Sequence, residues 1–182
     1  MSSIGSSWKD DAIVDTCKKT QVVTETQQIR EIYLQIFEKE DIPFEEKFSL
    51  KMKRDDYVNV SIVWYIIGTK DQDCELRIIM RDICFMFILN IFQAMVAYFD
   101  IEFSYGLTPV SFSTSPMAPY THWKQTFFFF DNYITGKKGE EINGTFKMKP
   151  NKKNVRDMDV EIDIKHKGEV GEFEEKNEYI IR

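Results

Sequence analysis

The chain has 182 residues and a mass of 21.6 kDa, a length that suits one domain with a hydrophobic core. Its hydrophobic fraction of 43%, with 14% aromatic residues, excludes a disordered tail, and 30% charged residues exclude a collagen-like or mucin-like chain. The net charge of -6 has the wrong sign for binding nucleic acid through a basic surface. We therefore expect a folded, acidic domain whose partners are basic.

The N-terminal region carries no signal for secretion. Residues 1–10 contain neither a basic start nor an apolar run, so we expect no membrane association and a cytoplasmic or nuclear location, or both. Residues 1–20 are polar and charged and are interpreted as a loose leader. Cys17, Cys74 and Cys84 are spaced too irregularly for a disulfide framework or a zinc site, so we expect free thiols and no metal.

Alternating apolar and polar residues predict strands along most of the chain. Between residues 44 and 58, Phe48, Leu50 and Met52 alternate with polar residues, and the pattern returns over residues 96–103, 123–130, 145–149 and 158–164. Turn-forming residues separate these segments. The sequence therefore predicts a mainly β domain, an antiparallel β-barrel or sandwich. Residues 27–39 fit a short helix or a buried strand equally well.

Residues 60–93 differ from the rest of the chain. From Ile78 to Phe92 nearly every residue is apolar and the alternation disappears. The run Ile83 to Leu89 is far shorter than the roughly 20 residues that cross a bilayer. We expect an inserted segment that is poorly packed and partly helical, with the helix after Cys74.

The C-terminal half carries a set of motifs in a specific order. These are the residues Ser115-Pro116, Thr121-His122-Trp123, Lys124-Gln125-Thr126, Gly139-Glu140-Glu141-Ile142, Met148-Lys149-Pro150-Asn151 and Asn154-Val155-Arg156-Asp157. In this order and spacing they resemble the C-terminal β-barrel domain of the protein arginine N-methyltransferases of the asymmetric-dimethylating type. The segments Gln21-Val22-Val23-Thr24 and Lys53-Arg54-Asp55-Asp56-Tyr57-Val58 are similar to its first strands. The resemblance implies an antiparallel barrel over residues 21–182, with residues 60–93 unmatched.

Removal of residues 60–93 would join Asn59 to Ala94 and restore an uninterrupted strand. The segment begins with Val60-Ser61, which the codons GTA-AGT can encode, and ends with Phe92-Gln93, which TTT-CAG can encode. These are the consensus ends of a spliceosomal intron, and a whole number of codons preserves the reading frame. We interpret residues 60–93 as a retained intron or a gene-model error.

The resemblance assigns the remaining active-site residues to one loop. It implies that His122 pairs with a carboxylate of a cofactor-binding domain, and that Thr121 and Trp123 contribute to the arginine channel. The family uses S-adenosylmethionine, but no glycine-rich strand-to-helix turn occurs in these residues, so we expect the chain itself to bind no cofactor. The Glu140-Glu141 pair is interpreted as the flank of a turn, and His166 as a solvated residue at a strand end.

Two functions follow from the resemblance. The first is a truncated arginine methyltransferase that retains the substrate-side barrel and is inactive alone, so whether the chain is itself an enzyme stays open. The second is a non-catalytic module that binds Arg-rich segments or a full-length relative. The helical arm through which the family dimerises is not expected in this chain.

Overall fold

The computed structural model describes residues 11–58, 76–80, 83–88, 92–104 and 108–182. Within these residues the backbone forms fourteen strands and two short 3₁₀ turns. The turns are Lys19–Gln21 and Lys39–Asp41. The strands are β1 (Ile13–Asp15), β2 (Arg30–Tyr33), β3 (Phe44–Lys51), β4 (Asp56–Val58), β5 (Leu76–Met80), β6 (Ile83–Ile88), β7 (Phe92–Ala97), β8 (Asp100–Phe103), β9 (Val110–Ser113), β10 (Gln125–Phe130), β11 (Ile134–Gly136), β12 (Glu141–Pro150), β13 (Met158–Lys167) and β14 (Glu172–Ile181).

The strands form four sheets, and every pair of neighbouring strands is antiparallel. The strand orders are β1-β10-β7-β6, β11-β4, β14-β13-β12-β3 and β2-β5-β8-β9. The prediction of a mainly β, antiparallel, barrel-like domain is confirmed. Residues 27–39, for which a helix and a strand were equally compatible, contain β2.

Alternating burial explains why these segments are strands. In β13, Val160, Ile162 and Ile164 are buried, and the residues between them are more exposed. Successive side chains of a strand point to opposite faces, so one face joins the core and the other meets solvent. In β10, the consecutive residues Phe127 and Phe128 point to opposite faces and both are buried, as is Phe130, so this strand is covered on both faces.

β4 and β7 behave as two parts of one strand. β4 pairs with β11, where Val58 faces Ile134, and β7 pairs with β10, where Gln93 faces Phe130. β10 and β11 follow each other directly in the chain, separated only by residues 131–133. The strands on either side of residues 59–91 therefore pair with two strands, β10 and β11, that are nearly consecutive in the chain.

The expectation of a partly helical insert is not confirmed. The described residues of the segment lie in strands: β5 is central in its sheet between β2 and β8, and β6 pairs with β7. The described residues of the segment thus pair as strands with other parts of the sheet structure. A buried apolar run does not distinguish a helix from a strand by its period, and the β-branched and aromatic residues favour the extended form. Residues 60–75, 81–82 and 89–91 lie outside the described residues.

The leader predicted over residues 1–20 needs a correction for its second half. Residues 1–10 lie outside the described residues, but β1 pairs with β10, and Cys17 is buried. Ile13 aligns with Phe127, and the backbone N–H of Ala12 donates to the carbonyl of Ile180 at 3.0 Å. A strand of three residues is too short for its alternation to stand out from a polar sequence.

Candidate functional site

The loop between β9 and β10, residues 114–124 and hereafter the β9–β10 loop, contains the three residues assigned to the site. Its first turn is held by Ser115, whose carbonyl accepts from the Ala118 N–H at 3.0 Å and whose Oγ accepts from the Met117 N–H at 3.0 Å. At the other end the Thr121 hydroxyl donates to the carbonyl of Trp123 at 2.9 Å. Internal hydrogen bonds therefore shape both ends of the loop.

Trp123 is anchored on one side and open on the other. Its indole stacks on the ring of Phe112 from β9, with centroids 5.0 Å apart and planes inclined by 18°. Phe112 in turn contacts the buried Phe99 edge to face at 6.4 Å. Trp123 nevertheless keeps 43% of its surface exposed. The loop thus presents a flat aromatic face whose orientation is fixed from behind.

His122 lies against Trp123 and faces solvent. The two ring centroids are 3.8 Å apart, and the His122 side chain is exposed. Within the part of the chain that the structure describes, no carboxylate forms an ion pair with His122. Both imidazole nitrogens can therefore be reached by a group from outside the chain.

Other apolar side chains extend this exposed area. Tyr120 is 77% exposed and Met117 40% exposed, both within the β9–β10 loop, and Val110 is exposed on β9. We call these three residues, with His122 and Trp123, the Trp123 surface; of the three, Tyr120 lines the same cavity as Trp123. Exposed apolar side chains that lie close together on a folded domain mark an interaction area.

One buried polar side chain, that of Gln125, joins the two stems of the loop. Gln125 donates from Nε2 to the carbonyl of Thr114 at 2.6 Å and accepts from the Cys17 N–H at 2.7 Å. Under the loop lies a cavity of about 270 Å³ that Cys17, Thr114, Trp123 and Gln125 help to line. Gln125 belongs to the Lys124-Gln125-Thr126 motif, but the sequence alone indicates no role for it.

A second polar cluster lies away from this loop, and it corrects one expectation. His166 is buried, although it was expected to be a solvated strand-end residue. It occupies the core-facing alternation of β13, two residues after Ile164. Its Nδ1 lies 3.0 Å from the carbonyl of Glu141, and its Nε2 lies 3.4 Å from Oε2 of Glu140.

The Glu140-Glu141 pair does not form one acid–base site. The Glu140 carboxylate accepts from the N–H groups of Lys137 and Glu169, both at 2.8 Å, and thus joins two turns. Glu141 lies on the exposed side of β12, where its carboxylate accepts from the Ser49 hydroxyl at 3.3 Å. The backbone donors of Glu169 and Lys137, with a smaller effect of His166, hold the pKa of Glu140 below its usual value.

The described residues do not fit a nucleotide cofactor. Their helical elements are limited to the two 3₁₀ turns, so they offer no glycine-rich turn leading into a helix N-terminus, the usual cradle for such groups. They also contain no cluster of His, Cys, Asp or Glu that could hold a metal ion. A search of the same residues finds no helix with the length and apolar character needed to cross a membrane.

Comparisons with known proteins agree with the motifs of the loop. The family profile of the arginine methyltransferase oligomerization subdomain matches residues 1–81 and 88–169. The chain belongs to the protein arginine methyltransferase family. The matched ranges include residues 60–81 and 88–93, so the expectation that all of residues 60–93 lies outside the family is wrong for these residues. The family match concerns the sequence of this segment. Its structure, where described, consists of the paired strands β5 and β6.

The relatives show how much of a methyltransferase the chain represents. It is 34% identical to protein arginine N-methyltransferase 1 of Caenorhabditis elegans over 181 residues, which cover 100% of this chain and 42% of that protein. It is 31% identical to protein arginine N-methyltransferase 8-B of Danio rerio, covering 94% of this chain and 33% of that protein. The chain thus spans less than half the length of the curated relatives it matches.

Solved structures confirm the fold. The Trypanosoma brucei PRMT1 enzyme–prozyme heterotetrameric complex with AdoHcy superposes with a TM-score of 0.70 and 21% identity, over 94% of this chain and 44% of that one. Arabidopsis thaliana protein arginine methyltransferase 10 gives a TM-score of 0.69 at 16% identity, over 97% of this chain and 44% of that one. At these identities the likeness establishes the architecture.

Proposed function

We propose that these residues are the substrate-side barrel of a protein arginine methyltransferase, and that the β9–β10 loop completes the arginine site. The observation that carries this proposal is the state of Trp123, which is fixed against Phe112 yet 43% exposed within the Trp123 surface. A half-exposed tryptophan that stacks on a partly buried phenylalanine, in a loop with other exposed apolar side chains, is typical of a surface that another domain covers.

Each residue of the loop has a role in this proposal. His122 is the catalytic residue of the set: its free imidazole pairs with a carboxylate supplied by a cofactor-binding domain. Trp123 forms one wall of the channel, where an indole face can stack on the planar guanidinium of the substrate. Thr121 contributes to substrate binding by holding the peptide of Trp123 through its hydroxyl.

S-adenosylmethionine is the methyl donor of the family, and another domain must hold it, because the described residues do not fit it. The positioning and electrostatic stabilisation that dominate group transfer would be missing from the 182 residues alone. We therefore expect the purified chain neither to bind S-adenosylmethionine nor to methylate an Arg-rich peptide. Calorimetry with S-adenosylmethionine and a methyl-transfer assay test this. Methyl transfer by the chain alone that is lost on His122→Ala would overturn it.

The interruption of one strand bears on the proposed origin of residues 60–93. That β4 and β7 pair with successive parts of β11 and β10 supports an insertion within one strand. We propose that the segment is a translated intron, as its terminal codons suggest; the family match over residues 60–81 and 88–93 and the pairing of β5 and β6 with other strands are the observations against it. Sequencing of spliced transcripts across Asn59 and Ala94 tests this, and a dominant message that retains every codon of the segment would refute it.

A second candidate is a non-catalytic partner of a full-length methyltransferase or of Arg-rich segments. The enzyme–prozyme complex of Trypanosoma brucei favours it, as does the oligomerization role named for the matching family. The net charge of -6 suits Arg-rich segments. Titration with an Arg-rich peptide at low and high salt distinguishes the two candidates, because surface charge attraction is screened over about 8–10 Å at physiological ionic strength. No binding at either salt concentration removes the Arg-rich partner.

A further inference from the structure

We propose that Gln125 is a positioning residue that fixes the orientation of the β9–β10 loop, and with it His122 and Trp123. The inference rests on the proposed function of that loop for its catalytic consequence, but its structural part stands independently. Gln125 is 6% exposed and begins β10, immediately after the loop ends. Among the described residues its carboxamide hydrogen-bonds to the backbone of Cys17 and Thr114 and to neither His122 nor Trp123, so it acts through the backbone.

The carboxamide of Gln125 bridges two chain segments. Its Nε2 donates to the carbonyl of Thr114, the residue at the other stem of the loop, at 2.6 Å. Its Oε1 accepts from the N–H of Cys17, just beyond β1, at 2.7 Å. One side chain must therefore donate in one direction and accept in the other, which a carboxamide does and a carboxylate or an alkyl group does not.

Thr114 carries the bridge into the core. It is 2% exposed, and its hydroxyl donates to the carbonyl of Phe99 at 2.9 Å and accepts from the Phe99 N–H at 3.0 Å. The ring of Phe99 contacts Phe112, on which Trp123 stacks. Phe99 is therefore connected to both ends of the loop. Its backbone bonds to Thr114 at the start, and its ring contacts Phe112, which stacks on Trp123 near the end.

Packing alone does not hold the loop. The cavity of about 270 Å³ lies between the loop and residues 16–19, so close-packed side chains do not fill the space beneath it. The hydrogen bonds of Gln125 cross that space, beside an exposed Lys124–Asp15 ion pair at 3.9 Å and the stacking of Trp123 on Phe112. Because a displacement of about 1 Å at a catalytic group can cost about 10²-fold in rate, a loosened stem has a catalytic consequence.

The test measures Trp123 directly. Trp8 and Trp64 are replaced by Phe in the full chain, which leaves Trp123 as the single tryptophan. In this background Gln125→Leu and Gln125→Glu are compared with Gln27→Leu. Gln27 is a matched control, because its Oε1 also accepts a backbone N–H, that of Ser49 at 2.6 Å, but far from the loop. Thr114→Val and Thr114→Ser test the second bridge, since only Ser keeps the hydroxyl.

We expect a red-shifted Trp123 emission and faster acrylamide quenching in Gln125→Leu, Gln125→Glu and Thr114→Val. The same variants should keep the far-ultraviolet circular dichroism of the parent. Gln27→Leu should leave Trp123 unchanged, and Thr114→Ser should restore the parent emission. Unchanged emission and quenching in a folded Gln125→Leu would overturn the proposal. If Gln125→Leu unfolds, Gln125→Glu decides: unchanged emission and quenching in a folded Gln125→Glu would overturn it.

A second readout separates this inference from the proposed function. In a mixture with a cofactor-binding domain of a relative, Gln125→Leu should lower kcat for methyl transfer at least tenfold, with a smaller change in KM, in line with the cost of misplacing a catalytic group. Altered fluorescence without any methyl transfer in the parent mixture would refute the proposed function and leave the positioning role standing. Full kcat in a variant with altered fluorescence would overturn the catalytic part of the inference.

Discussion

Nε2 of His166 lies 3.4 Å from Oε2 of Glu140, in a site where the imidazole side chain is only 1% exposed. Because a carbonyl oxygen can only accept, Nδ1 of His166 must donate to Glu141, and Nε2 has no hydrogen-bond partner in the described structure. Glu140 itself joins the turn before β12 to the turn after β13 through the N–H groups of Lys137 and Glu169. The Glu140 carboxylate therefore links two turns through hydrogen bonds and lies beside the buried imidazole of His166.

The first prediction concerns the stabilising effect of this carboxylate. The pKa of Glu140 is lowered, mainly by the backbone donors of Glu169 and Lys137. A group whose pKa is lower in the folded state stabilises the fold above its unfolded pKa, about 4.3 for Glu, and that contribution is lost as the pH falls through the folded value. Glu140→Gln should lower the free energy of unfolding at pH 7 by about 1–3 kcal/mol, the usual range for hydrogen bonds to charged groups.

Urea unfolding between pH 7 and pH 3 measures this effect. The difference between Glu140→Gln and the parent should shrink as the pH falls below about 4.3. Glu174→Gln is the control, because Glu174 lies on the exposed face of β14 with only Lys165 as its ion-pair partner. Exposed ion pairs contribute about 0–1 kcal/mol, so this variant should resemble the parent. A loss for Glu140→Gln that is independent of pH would contradict the account.

The second prediction compares two glycines in the turn between β13 and β14. A Cβ on Gly168 would lie 2.4 Å from Oε2 of Glu140 and 2.6 Å from Nε2 of His166, whereas a Cβ on Gly171 would meet nothing within 4 Å. The Glu140 carboxylate cannot move without breaking its bonds to two backbone donors. Gly168→Ala should therefore lower the free energy of unfolding by about 1–3 kcal/mol, the usual cost of overpacking, and Gly171→Ala should change it little. Equal melting temperatures for the two variants would show that the cluster has room to adjust.

The sequence predicted those features that repeat along a strand. The alternation of Phe48 and Leu50 predicted β3, and the motif around Thr121-His122-Trp123 located the loop. The sequence did not predict contacts between residues that are distant in the chain. Nothing near His166 indicates that Glu140 and Glu141 cover it, because those contacts depend on the register of β12 against β13. Gln125 likewise shows its role only when Cys17 and Thr114 meet it in the fold.

The third prediction concerns removal of residues 60–93. Joining Asn59 to Ala94 would place Asn59 opposite Phe130, where Gln93 now pairs. Val58 now pairs with Ile134, so residues 131–133 must bulge out of the ladder for β4 and β7 to become one strand against β10 and β11. This chain should unfold cooperatively and at least as stably as the parent.

Far-ultraviolet circular dichroism and urea unfolding compare the deleted chain with the parent. A deleted chain that fails to fold would show that β5 is needed between β2 and β8, where it now lies. That result would contradict the interpretation of residues 60–93 as foreign to the barrel. It would leave the proposed role of the β9–β10 loop unaffected, because that loop connects β9 to β10.

The central claim is that this barrel completes an arginine methyltransferase site through His122 and Trp123. The most direct measurement mixes the chain with the separately expressed cofactor-binding domain of a relative, such as the Caenorhabditis elegans protein, and follows methyl transfer from S-adenosylmethionine to an Arg-rich peptide. We predict transfer by the mixture and none by either part alone. His122→Ala should reduce the rate about 10²–10³-fold, as the loss of one electrostatic contact does, while Lys152→Ala, an exposed residue in the turn between β12 and β13, should not. Transfer by the chain alone, or a mixture that His122→Ala leaves fully active, would contradict the account.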